Sequence, residues 1–146
     1  MRYVMRYVGL VLLLASFGCS RNVPPDRAAL ERQFEESLTG ATLVGQFTHG
    51  DRPGLSEERY TIQKVSKLQG DLWLFTARVQ YGSRDVTVPM PLTVQWAGDT
   101  PVITLTDLSI PGLGAYTARV LFYRGQYAGT WSGKTAGGHL FGRITK

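Results

Sequence analysis

Cysteine is all but missing from this 146-residue chain: Cys19 is the only one, so no disulfide can form within it. Histidine is nearly as scarce, with only His49 and His139. A zinc centre needs more Cys and His ligands than these supply, so no resident metal or other cofactor is expected. No apolar run is long enough to span a bilayer. The longest, Val8 to Phe17, would cover about 15 Å as a helix, half of a hydrocarbon core of about 30 Å. No serine sits in a Gly-x-Ser-x-Gly elbow, and Pro111-Gly112-Leu113-Gly114 lacks the strand-to-helix setting of a phosphate-binding loop. The basic residues are scattered rather than massed, which speaks against a nucleic-acid partner.

What is present is an ordinary globular composition with much punctuation. Hydrophobic residues make up 43% and charged residues 18%, enough apolar content for one domain with its own core. Glycine and proline fall mostly between apolar runs, as in an all-β protein with many turns. Residues 1–18 form a separate object: Arg2 and Arg6 precede the short apolar stretch, as in an export signal. Removing those two arginines leaves 14 basic against 11 acidic residues, a net charge of about +3 where the whole chain carries +5. That modest excess suits anionic lipid headgroups better than nucleic acid.

Ser16-Phe17-Gly18-Cys19-Ser20 resembles the lipobox of bacterial lipoproteins. Gly18 and Cys19 match it; Ser16 and Phe17 depart from the usual leucine and small residue. The resemblance implies that Cys19 receives a diacylglycerol and becomes the new N-terminus, tethering the protein to a membrane of the cell envelope and facing the periplasm. Ser20, in place of the Asp that marks inner-membrane retention, favours the outer membrane. Without lipidation, the same signal gives a secreted protein.

Residues 19–25 read as a tether, polar and then stiffened by Pro24-Pro25. Over residues 26–39 the spacing predicts one short helix: Leu30, Phe34 and Leu38 fall on one stripe, with Asp26 as N-cap and Gly40 as stop. From residue 40 to 146 the apolar period becomes two. Strands are expected over 41–49, 57–68, 72–81, 85–96, 101–108, 115–123, 126–131 and 139–145, with a bulge in the second and a bend or an edge where Pro89 and Pro91 interrupt the fourth. The turns are short and no helix intervenes. The expected fold is therefore all-β: about eight antiparallel strands in an up-and-down barrel or curled sheet, preceded by the helix, with a two-sheet sandwich as the alternative.

The segments Trp96 to Leu105, Ile110 to Gly114, Tyr127 to Trp131 and Gly137 to Gly142 look like those of small bacterial lipoproteins with calycin-like, lipocalin- or avidin-like barrels. This resemblance implies a barrel and brings no activity with it. Gly129-Thr130-Trp131 is similar to the Gly-x-Trp of lipocalins and avidins, but it lies on the last hairpin rather than the first strand, so no ligand residues carry over.

No catalytic, cofactor-binding or metal-binding residue stands out. Trp73, Phe75, Tyr116, Phe122 and Trp131 lead an aromatic set that either lines an apolar cavity or simply fills a small barrel, and filling is the simpler outcome. Arg78 and Arg119 alternate with these aromatics and should face solvent. The pairs Glu35-Glu36 and Glu57-Glu58 read as solvated carboxylates, and His49 as a solvated residue beside a turn. The expected function is a lipid-anchored, non-enzymatic envelope protein that binds a protein partner or a small apolar ligand. A structural or assembly role without a ligand is the alternative, and a hydrolase the remote one.

Overall fold

Alternation of side chains along each run decides the architecture, because one face of every strand is apolar and must find a common interior. The computed structural model describes residues 26–146; the expected export signal, Cys19 and the expected tether lie outside the described residues. Helix α1 spans Arg27–Leu38. Eight strands follow: β1 Thr42–His49, β2 Arg52–Gln69, β3 Leu72–Tyr81, β4 Arg84–Ala97, β5 Thr100–Ile110, β6 Gly114–Tyr123, β7 Gln126–Gly133 and β8 Gly137–Thr145. Each pairs antiparallel with the next, and β1 pairs with β8 from Thr42↔Thr145 to Phe47↔Leu140, closing the barrel. The fold is the expected all-β, up-and-down barrel behind one short helix.

Tight turns enforce this topology. Gly82 opens the β3–β4 turn at φ 54°, and Arg124 and Gly125 join β6 to β7 at φ 48° and 72°. Positive φ at such central positions matches the turn to the twist of the flanking strands. The expected bulge in β2 is present as a register shift between Ile62 and Lys64. Further register shifts lie between Phe47 and His49, between Lys67 and Gln69, and between Leu105 and Leu108 of β5, where Asp107 takes φ 48°.

Most strand bounds differ from expectation by a residue or two, and the start of β2 by more. β2 begins at Arg52 rather than Glu57, because its exposed first residues pair with the end of β1 through His49↔Arg52. β4 is one strand, and its two prolines lie on a local edge, one of the two expected outcomes. Pro89 and Pro91 turn their rings outward, in the stretch that pairs with β3 alone. The β4–β5 ladder covers only Thr93↔Thr104 to Ala97↔Thr100, so the prolines' missing N–H groups cost the sheet nothing.

The helix closes one end of the barrel. Asp26 caps it by accepting from the Ala28 N–H at 3.1 Å. Its buried face carries Phe34 and Leu38. Phe34 meets the rings of Trp73, Phe75, Trp96 and Phe122 edge-on, with centroids 5.4 to 6.1 Å away. The Thr39 hydroxyl accepts from the Val65 N–H, and Lys67 pairs with Glu31 at 2.6 Å, fastening both ends of the connection to β2.

Candidate functional site

The inward positions do not fill the barrel. A cavity of about 430 Å³ remains, reaching from Phe75 and Phe122 beneath the helix plug to the β5–β6 and β7–β8 connections at the other end. Most of its wall is apolar. Phe75, Tyr116, Phe122 and Trp131 border it, as does Phe47. Trp73 does not border the cavity. It is 1% exposed and packed against Phe34, because β3 begins at the plugged end and carries Trp73 below the cavity floor.

Three polar features interrupt the apolar wall. The largest centres on Glu58, which is only 5% exposed and is the sole charged side chain buried among the described residues. Its carboxyl accepts from the Tyr60 hydroxyl at 2.7 Å and from the Tyr127 hydroxyl at 2.9 Å. Cross-strand register makes this contact possible. Tyr127 pairs with Gly142, Gly142 with Gly45, and Gly45 with Glu58, so one row crosses β7, β8, β1 and β2. The tyrosine ring lies over the two glycines. A Cβ on Gly142 would stand 2.7 Å from the Tyr127 ring, and one on Gly45 would meet its hydroxyl.

The second feature is a phenol pair: the hydroxyls of Tyr81 and Tyr116 are 2.9 Å apart, and Tyr116 also donates to the Leu113 carbonyl at 3.1 Å. The third is His49 at the mouth, which is half-buried rather than solvated. It meets Trp131 edge-on at 5.4 Å and tilts against Phe47 at 5.0 Å, at the last residue of β1. The Trp131 indole N–H donates to the Thr48 carbonyl at 3.2 Å, which fixes that ring at the rim.

Burial sets the electrostatics of the wall. Desolvation pushes the Glu58 carboxyl above its ordinary range, against the opposing pull of hydrogen bonds from Tyr60 and Tyr127. The Tyr60 and Tyr127 phenols are pushed up by burial first and by the facing carboxylate second. Burial and the Tyr116 hydroxyl raise Tyr81 to about 12. All three phenols therefore stay protonated in neutral solution.

A carboxyl held above its unfolded value carries a definite sign. The folded state binds that proton more tightly than the unfolded chain does, so stability falls as pH rises from the ordinary carboxylate range through the raised value. Glu58→Gln keeps a side chain that can pair with both phenols but cannot ionise. The variant is expected to be more stable than the native protein at pH 7, with the difference vanishing near pH 4. Urea unfolding midpoints of both proteins across this range measure the difference. A gap independent of pH would show that Glu58 does not titrate in this window.

The other candidate residues lie elsewhere. Arg78 points outward and pairs with Asp85 through two hydrogen bonds, of 2.6 and 2.7 Å. Arg119, also outward, donates to the Leu105 carbonyl at 2.6 Å and braces the β5 bulge. His139 is exposed on β8, away from the cavity lining. Glu35 and Glu36 stay on the outer part of the helix, and Glu57 faces out. Reading Glu57-Glu58 as a solvated pair therefore holds for the first and fails for the second. The missed signal is alternation: Glu58, Tyr60 and Ile62 share one face of β2.

Among the described residues, no group of three His, Cys, Asp or Glu side chains comes together as a metal site. The closed antiparallel barrel is compatible with a calycin-like fold. No known protein family, curated protein or solved structure matches the chain.

Proposed function

We propose that the protein is a non-enzymatic binding module of the cell envelope, tethered by a lipid on Cys19, that holds a small, largely apolar ligand inside its barrel. The observation that carries this reading is the cavity itself. Its volume, about 430 Å³, lies within the range of roughly 300–1,000 Å³ usual for small-molecule sites. An eight-stranded barrel can be packed solid by its side chains, so empty space bordered by Phe47, Phe75 and Phe122 is a feature that the fold does not require. The helix plugs one end, so a ligand would enter a chamber open at the end where His49 and the β7–β8 loop lie.

The tether rests on Gly18-Cys19 after the short apolar segment. A helix that begins at Arg27, eight residues after Cys19, would hold the plugged end nearer the membrane than the mouth. That arrangement leaves the chamber facing away from the lipid surface.

One preparation tests both halves of the reading. Protein isolated from the envelope is expected to show, under denaturing mass spectrometry, a chain starting at Cys19 with the added mass of a lipid anchor. Under native conditions it should carry a further small adduct that organic solvent removes. An empty barrel that also fails to take up an apolar dye would overturn the binding reading. An unmodified N-terminus would overturn the tether alone.

A further inference from the structure

The Glu58 cluster points to the chemistry of the occupant. Both phenols that touch the carboxyl donate to it, one on each oxygen. Each oxygen keeps a free lone pair, so this part of the wall can accept another hydrogen bond. Its two nearest donors are already committed. No basic side chain answers the carboxyl: among the described residues the ion pairs are Lys67 with Glu31 and Arg78 with Asp85, both on the outside. The other ionisable cations bordering the cavity are His49 and Lys134, and Lys134 is exposed in the β7–β8 loop, where water screens it. Tyr60, Tyr127 and the cross-strand neighbour Tyr81 stand beside Glu58, and Phe47 lines the same cavity; aromatic rings of this kind attract a cation and repel an anion.

Resting on the cavity reading, we infer that the barrel selects ligands with an ammonium group on an apolar body, the Glu58 carboxylate serving as its counter-charge and the surrounding rings as its cage. A buried carboxyl without a cation is a costly group to keep, since ionising it in an apolar wall lacks compensation. An entering ammonium supplies that compensation by forming an ion pair with the carboxylate. An anionic amphiphile meets the opposite situation: repulsion from Glu58 and no free donor deep in the chamber. A neutral alcohol can donate to Glu58 but brings no charge.

Three rigid probes of one shape separate these cases: 1-adamantanammonium, 1-adamantanol and 1-adamantanecarboxylate, titrated calorimetrically into the full chain at pH 7. The ammonium is expected to bind at least about tenfold more tightly than the alcohol, the ratio that one charge-assisted hydrogen bond supplies, with the carboxylate weakest. In Glu58→Gln the ammonium should fall to the alcohol's affinity while the alcohol is unchanged. Equal binding of ammonium and alcohol in the native protein, or a preference that survives in Glu58→Gln, overturns the selectivity and leaves the cavity reading standing. Binding of none of the three overturns both. Should Glu58→Gln fail to fold, the ammonium-to-alcohol ratio in the native protein decides alone.

Discussion

Phe34→Ala is expected to lower the unfolding free energy by about 3–5 kcal/mol, the usual cost of emptying a buried phenylalanine site. Phe34 is 4% exposed and sits at the meeting point of four other rings. Aromatic edge contacts add to the area it buries, and barrel strands held by closed ladders cannot collapse far into the hole. Phe75 and Phe122 touch Phe34 on one side and border the chamber on the other, so the loss should also loosen the chamber floor. Urea unfolding followed by tryptophan fluorescence measures the first effect, and apolar-dye affinity measures the second. Arg32→Ala, on the exposed side of the same helix, serves as the control and should stay within about 0.5 kcal/mol of the native protein. A loss below about 1 kcal/mol for Phe34→Ala would mean that the helix does not hold this end shut.

Gly45→Ala is the second large effect, at about 2–5 kcal/mol, although it adds a single methyl group. The backbone angle is not the reason, since Gly45 does not adopt positive φ. Space is. The new Cβ would meet the Phe141 carbonyl and the Tyr127 hydroxyl, and it would stand 2.9 Å from the Gly142 Cα. Backbone on β8 cannot yield without breaking the β1–β8 ladder, so the phenol must move and leave Glu58 with one partner. The cost thus combines overpacking with a buried polar group stripped of a hydrogen bond. Tyr127→Phe removes the obstructing hydroxyl, so the two substitutions should be non-additive: the double variant should lose less than the sum of the singles, by about 0.5–3 kcal/mol. Strict additivity in a double-mutant cycle would show that Gly45 and Tyr127 do not act through one contact.

Much of the scaffold could be read from local pattern. The helix stripe of Leu30, Phe34 and Leu38 and the alternation of Trp73, Phe75, Ala77 and Val79 specify which face each element buries. Short Gly-containing turns then leave few arrangements open to consecutive strands. The site was less legible because it depends on register across strands. Nothing local to Tyr127 announces that it will lie over Gly142 and Gly45 and reach Glu58, three strands away. Residue type also misled at Glu58, where a charged side chain at the start of an apolar run suggested solvent, although its phase along β2 pointed inward. Trp73 shows the converse limit. Facing inward places a residue in the interior but not at a given height, and height separates the plug from the chamber.

The unladdered part of the wall, between the first half of β4 and the second half of β5, bears on how these molecules behave when crowded together. Exposed backbone of this kind ordinarily recruits strands from other chains and starts aggregates. Here Pro89 and Pro91 remove two donors from one bank, and the bulge at Asp107 with the Arg119 brace distorts and occupies the other. A neighbouring chain would find neither a straight edge nor a full set of hydrogen bonds. This side of the barrel therefore offers no template for fibre growth, and Val88, Ile110 and Leu113 pack across it.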